Sequence, residues 1–254
     1  MKVLILAGGF GTRLGEYTDT IPKPMVTIGG RPILHHVMET FARYSLKDFI
    51  IALGYKSNVI KEYFSNYRRL NSDFSVDLLT GKLTYHASNV PNWNVTVVDT
   101  GLNTMTGGRL KRLRDFVSND TFLLTYGDSL ANVNISKLLE FHRGHGKMVT
   151  VTAVRPAARF GELTLDGDTV TKFIEKPQTN SGWINGGYFV IEPSFLDLID
   201  NDSTVLEKEP LESCASAGQL VAYRHHDFWQ CMDTRRDREL LEEWCTSGRM
   251  PWLL

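Results

Sequence analysis

Val3-Leu4-Ile5-Leu6-Ala7-Gly8-Gly9-Phe10-Gly11-Thr12-Arg13-Leu14 is the stretch from which the fold is read. An apolar run over 2–7 that ends in a glycine cluster is the pattern of a buried strand feeding a loop. Two phosphate-binding loops share that look, and neither fits. A dinucleotide fingerprint GxGxxG begun at Gly9 and Gly11 needs a third glycine where Leu14 stands. A P-loop needs GxxxxGK followed by Ser or Thr, and no such string occurs in the chain.

Outward from the loop, helical and strand periods alternate. Pro32 sits in a first helical turn, and Ile33, Val37 and Phe41 follow with Leu34 and Met38 beside them, which predicts a helix with one apolar side. Residues 49–53 form a continuous apolar run. Val59, Ile60, Tyr63, Phe64 and Tyr67 make a second helical stripe, and 95–98 a third strand. Leu110, Leu113 and Val117 predict a helix opening after Gly107-Gly108, and 122–126 a strand running into Gly127-Asp128. Strands alternating with helices imply a mostly parallel sheet with right-handed crossovers. In the second half, 160–175 carries Asp166-Gly167-Asp168 between two alternating segments, a β-hairpin pattern. A further strand covers 188–191, Pro210 opens a helix that Gly218 closes, and Thr234 with Asp237 caps a last helix over 235–246. The expected fold is an α/β three-layer sandwich with a mostly parallel, Rossmann-like central sheet and an added antiparallel hairpin region. No linker, repeat or low-complexity stretch divides it, so 1–254 reads as a single domain.

Composition narrows the function classes. With 42% hydrophobic and 22% charged residues the 254-residue chain can bury a full core, which excludes disorder, collagen and coiled coil. Twenty-eight Lys+Arg against twenty-nine Asp+Glu leave a net charge of −1, which opposes nucleic-acid binding through a broad phosphate footprint. No apolar run nears the roughly 18 residues of a membrane span, and the N-terminal run is too short for a signal-peptide core, so the expectation is a cytoplasmic protein without membrane contact. Cys214, Cys231 and Cys245 offer neither a CxxC pair nor His at ligand spacing, so no disulfide frame or zinc site is expected. His35-His36 and His225-His226 have no carboxylate at a telling interval and read as helix-face or strand-surface residues, and the tryptophans read as packing.

Three groups of residues point to phosphate chemistry. Glycines without Cβ let a main chain approach a triphosphate and turn its N–H groups toward it, and Arg13 adds a planar fork for phosphate oxygens. Lys23 stands between Pro22 and Pro24, a stiff support that a solvated lysine does not need. Asp128 ends a buried strand, where open α/β sheets place their ligands.

Gly8-Gly9-Phe10-Gly11-Thr12-Arg13-Leu14, then Pro22-Lys23-Pro24-Met25, then Gly29 and Pro32-Ile33 resembles the signature of the sugar-1-phosphate nucleotidylyltransferases. Val98-Asp99-Thr100-Gly101, Met105-Thr106-Gly107-Gly108-Arg109 and the closing Gly248-Arg249-Met250-Pro251-Trp252 narrow the resemblance to the members that join CTP to glucose 1-phosphate. The resemblance implies Mg²⁺ as cofactor, CTP and a sugar 1-phosphate as partners, and a homo-oligomer. It divides the chain into a nucleotide-binding half, about 1–130, and a sugar-phosphate half, about 131–254. Arg13 and Lys23 become the catalytic pair. Leu6, Ala7, Gly8, Gly9, Gly11, Thr12, Thr106, Gly107, Arg109 and Asp128 line the nucleotide side, with Arg109 either a base ligand or a surface charge on its helix. Asp128 and Asp233 hold the metal, although a carboxylate at 233 also suits the start of the last helix. Glu175, Lys176, Asn185 and Gly186 take the sugar phosphate. The fold also serves as a non-catalytic binding module, against which Arg13, Lys23, Asp128 and Asp233 occur together.

Overall fold

The computed structural model describes residues 1–88, 90–117, 120–156, 162–174 and 182–254. Seven strands form one sheet in the order Leu220–Arg224, Val149–Val154, Ile184–Ile191, Phe122–Tyr126, Val3–Leu6, Asp48–Leu53 and Asn94–Asp99. Val3–Leu6 lies inside it, parallel to Asp48–Leu53 on one side, with Val3 opposite Phe49, and to Phe122–Tyr126 on the other, with Val3 opposite Leu123. Among the seven, Ile184–Ile191 alone runs antiparallel to its neighbours. A strand covered on both faces can be apolar throughout, and Val3–Leu6 is. Val3 and Ile5 join the apolar cluster on one face, Leu4 and Leu6 the cluster on the other. Helix Ile33–Ala42 supplies Ile33, Leu34, Val37, Met38 and Phe41 to the first cluster, and Leu110 and Leu113 belong to the second, which completes three layers.

The local expectations at 160–175 and 235–246 have their counterparts. Strands Glu162–Asp166 and Thr169–Ile174 pair antiparallel across a turn in which Gly167 has φ +58°. Helix Arg235–Thr246 opens on a capping box between Thr234 and Asp237.

Three features depart from the sequence reading. The helix expected to open after Gly107-Gly108 opens at Thr106 and contains both glycines. A Cβ on Gly107 would stand 2.8 Å from the Thr204 carbonyl oxygen, and one on Gly108 would stand 2.5 Å from Asp202 Cα. The glycines let the helix lie against the 202–206 segment, and that contact outweighs their low helix propensity. Strands Ser72–Val76 and Leu83–Ser88 form an unexpected hairpin, whose turn is tied by Asp77 Oδ1 accepting from the Leu79 and Thr80 N–H groups. Finally, Ser129–Ala131 pairs antiparallel with Trp229–Cys231, with Ser129 opposite Cys231. Three residues are too few for a period to be read, yet this pairing builds the site described next. Among the described residues no helix is long and apolar enough to cross a membrane.

Candidate active site

At the carboxyl ends of Val3–Leu6 and Phe122–Tyr126 a cleft of about 360 Å³ opens, lined by Leu6, Ala7, Gly8, Gly9, Gly11, Arg13, Lys23, Thr106, Arg109 and Asp128 among others. The chain leaves its strand through Gly8 and Gly9 and turns at Gly11, whose φ of +67° lies in the left-handed region. A Cβ on Gly11 would meet Lys23 Cβ at 2.9 Å, and one on Gly8 would fall 2.3 Å from the Arg109 guanidinium. Both glycines are therefore required twice, by the turn or the cleft on one side and by a buried cation on the other.

Arg109 is 4% exposed, so it is not a surface charge. Its guanidinium donates to the carbonyl oxygens of Leu53 at 2.8 Å, Gly101 at 2.7 Å, Gly8 at 3.0 Å and Leu102 at 3.2 Å, and to Thr100 Oγ1 at 2.8 Å. Burial draws its pKa below the ordinary arginine value. The fork ties the first glycine to the ends of two neighbouring strands and to the 101–102 loop.

Lys23 is the second buried cation. A single turn of 3₁₀ helix, Lys23–Met25, follows Pro22, and the Lys23 ammonium stands 2.5 Å from Asp128 Oδ2 and 2.5 Å from Asp233 Oδ1. Arg13, whose side chain is 73% exposed, reaches Asp233 Oδ2 at 2.6 Å. Burial alone would push Lys23 down, but the two carboxylates outweigh it and hold the ammonium above its usual range. For Asp233, burial raises the carboxyl, and Lys23 with Arg13 overcomes this and holds it low. Four residues from three distant parts of the chain thus form one ionic cluster at the mouth of the cleft. The short strand pair is the cause, because the Asp128 carbonyl accepts from Met232 N–H at 2.9 Å, which sets Asp233 beside Asp128. Asp237 then fixes the end of that segment, its Oδ2 accepting from the N–H groups of Asp233 and Thr234.

Both carboxylate oxygens lie within reach of a single cation, and among the described residues no group of three or more His, Cys, Asp or Glu side chains could hold a metal. Two carboxylates fit a hard divalent ion that takes its other oxygens from phosphate and water, not one held in an all-protein cage.

The other expected residues separate. Thr106 lines the cleft, but its hydroxyl donates to Glu207 Oε2 at 2.7 Å and accepts from Leu206 N–H at 2.9 Å. Gly107 lies against Thr204 and neither it nor Thr12 is among the cleft-lining residues. Asn185 Oδ1 accepts from Gly187 N–H at 2.8 Å, and Gly186 O accepts from the Trp229 indole at 2.7 Å. Glu175 and Lys176 lie outside the described residues. His35 and His36 lie on the buried face of helix Ile33–Ala42, in keeping with the helix-face reading, and His225 is buried rather than on a strand surface. Sequence reasoning missed Glu207, which lies in no motif, and gave the Tyr126 side chain no role although it stands beside Gly127-Asp128. A larger cavity, about 560 Å³, lies between helix Ser57–Leu70 and strand Asn94–Asp99 and holds none of the expected residues.

A family model described as "Nucleotidyl transferase" matches residues 2–236. Curated proteins named "Glucose-1-phosphate cytidylyltransferase" from Salmonella typhi and Salmonella typhimurium are each 50% identical to this chain over 253 residues, covering 99% of it and 98% of the relative. The crystal structure of HddC from Yersinia pseudotuberculosis superposes with a TM-score of 0.70 at 24% identity, covering 97% of this chain and 99% of that one, and shares its fold.

Proposed function

The chain belongs to the nucleotidyl transferase family, and from that premise we propose that it moves the cytidylyl group of CTP onto glucose 1-phosphate, giving CDP-glucose and pyrophosphate. The observation that carries the reading is the cluster of Lys23, Arg13, Asp128 and Asp233 at the mouth of a glycine-walled cleft. A phosphate oxygen of the sugar attacks the α-phosphorus in line, a new P–O bond forms, and the bond to the departing pyrophosphate breaks. That nucleophile is already an anion, so no strong base is required, and alignment with charge neutralisation supplies the catalysis.

Each residue's part follows from its chemistry. The N–H groups of the glycine loop face the triphosphate. An ammonium has three donors, and Asp128 and Asp233 engage two, so Lys23 keeps one for a phosphate oxygen. Arg13, the exposed member, closes over the outer phosphates. Asp128 and Asp233 are the ligands for Mg²⁺, which when bound neutralises charge on the phosphate oxygens. The base faces the first half of the chain, where Arg109 holds the Gly8, Gly101 and Leu102 carbonyls in place, and the sugar faces Asn185 in the second. The exposed apolar Phe74, Val76, Leu78, Leu79 and Leu83 of the 72–88 hairpin support assembly as a homo-oligomer.

Incubation with each NTP beside a panel of sugar 1-phosphates, the product identified by mass, tests the reading. CTP should lead UTP and dTTP by at least roughly tenfold in kcat/KM, because a pocket matched to the cytosine amino group leaves buried groups unpaired against a carbonyl. Equal use of UTP overturns the choice of base.

A further inference from the structure

Beside the cleft lies a second recess of about 330 Å³, lined by Val151, Leu211 and Leu220 and, at its polar part, by Asn185 and Glu207. The wall between recess and cleft is Tyr126, which lines the cleft while its hydroxyl donates to Glu207 Oε1 at 2.5 Å. The proton assignments along this wall are forced. A carboxylate has no hydrogen to give, so both the Tyr126 and Thr106 hydroxyls must donate to Glu207. A main-chain N–H cannot accept, so the bond from Gly187 fixes Oδ1 of Asn185, and its Nδ2 donates to the Tyr126 oxygen at 3.4 Å, which leaves that oxygen one lone pair for a further donor. The strand reaches the ring because position 187 is glycine, with φ +80°, where a Cβ would stand 2.7 Å from the tyrosine ring. Burial, and then the nearby Glu207 carboxylate, push the Tyr126 pKa well up, so the phenol stays protonated.

We propose that Glu207 is a positioning residue for the acceptor sugar: by taking the Tyr126 proton it presents the phenol oxygen as a hydrogen-bond acceptor to one hydroxyl of the sugar phosphate, beside Asn185. The inference rests on the proposed reaction and adds a specificity element to it. With its proton committed, Tyr126 can meet a sugar hydroxyl only as an acceptor. A free hydroxyl in the right orientation satisfies it, and a deoxy position does not. Glu207→Gln keeps one acceptor oxygen and puts an amide donor where the other was, so one of the two hydroxyls loses its acceptor.

The test uses the full-length enzyme with Glu207→Gln and Tyr126→Phe, Mg²⁺, CTP, glucose 1-phosphate and the series of monodeoxyglucose 1-phosphates. In each variant the KM for glucose 1-phosphate should rise about tenfold, the scale of one neutral hydrogen bond, while the KM for CTP stays within about twofold. One deoxy analogue should be about tenfold poorer than glucose 1-phosphate with the wild type and equal to it with Tyr126→Phe, a coupling that a merely structural role would not produce. Constants for CTP and acceptor that move together, or deoxy penalties unchanged by Tyr126→Phe, overturn the inference and leave the reaction standing. A wild type that forms no nucleotide sugar from CTP and glucose 1-phosphate overturns the reaction and the inference with it.

Discussion

Arg109 lies under Gly8 and Lys23 under Gly11, both at least nine-tenths buried, and they are satisfied in opposite ways. Arg109 gives its hydrogen bonds to four carbonyls and a hydroxyl, all neutral, whereas Lys23 gives two to carboxylates. A buried cation among neutral dipoles is a permanent fixture, because nothing that enters the cleft offers Arg109 more than the five oxygens it already holds. A cation shared between two anions is an exchangeable arrangement, since a polyphosphate can compete for the ammonium while another cation takes the carboxylates. Arg109 is therefore part of the scaffold of the cleft, whereas the Lys23 cluster can exchange its partners. A third buried base sharpens the contrast. Among the described residues His35 has only the Tyr63 hydroxyl as a hydrogen-bond partner, at 3.2 Å, with Trp93 and Tyr67 rings around it, and burial then Arg31 and His36 lower its pKa to about 4.

The largest effect is expected at the scaffold. Arg109→Ala removes five hydrogen bonds. Leu53 O keeps donors in Thr100 and Gly8 O keeps the Tyr55 N–H, while the Gly101 and Leu102 carbonyls lose the guanidinium. The change also opens a void, and together these losses should destabilise by about 4 kcal/mol and lower Tm by roughly 10 °C. Arg109→Lys restores the charge but not the planar fork and should recover only part of this. Thermal unfolding of both without substrate is the measurement, and a stable Arg109→Ala protein with weakened CTP affinity would move Arg109 from scaffold to base ligand.

On the phosphate side the loss should fall on turnover instead. Asp128→Asn and Asp233→Asn each remove a negative ligand at constant size, so turnover should drop by about 10²-fold or more with a far smaller change in Tm than at Arg109. Near wild-type turnover at low Mg²⁺ in both variants breaks the assignment of these carboxylates as metal ligands.

His35 predicts a pH dependence of stability separate from the ionic cluster. Its unfolded pKa is near 6.5 and its folded value about 4, so in that window the unfolded chain binds a proton that the folded one refuses. Stability is full above pH 6.5 and falls as the pH drops, by about 2 kcal/mol between pH 6.5 and pH 5. Denaturant titrations of wild type and His35→Gln across this range should differ in slope, and parallel curves would show that the folded protein accommodates His35 charged.

Smallest is the effect at the cap that carries Asp233. Thr234→Ala removes half of the capping box and should cost about 1 kcal/mol, with a few-fold loss of turnover because Asp233 is less firmly held. Unaltered turnover at the expected stability loss would show that the pairing of Cys231 with Ser129 suffices to place Asp233.

How much of this was legible follows from the range of the interactions. The glycine loop, the Pro22-Lys23-Pro24 support, the strand end at Asp128 and the Thr234–Asp237 cap are all written within a few neighbouring residues, and each could be read before any coordinates. The motif at 106–109 was legible as a segment but not as a mechanism. Its glycines answer to Thr204 and Asp202, and its arginine to Leu53 and Gly8, residues that no local pattern connects to it. The hairpin at 72–88 does carry a period of two, Phe74 and Val76 on one strand and Leu83, Tyr85 and Ala87 on the other, but its strands are short and Phe74, Val76 and Leu83 stay exposed instead of joining the core.

By itself the sequence determined the layered α/β plan and the residue types that line the cleft, because buried strands, helix stripes, tight turns and caps are local responses of the backbone to side-chain size, branching and hydrogen bonding. Only the tertiary structure decided that Asp233 stands beside Asp128 on Lys23, that Arg109 is scaffold, and that Tyr126 is held by Glu207. Those partners lie tens to hundreds of residues apart in the chain. Their meeting depends on a three-residue strand pair and on close contacts at glycines, and the free energy that selects such contacts exists only once the sheet has brought the segments together.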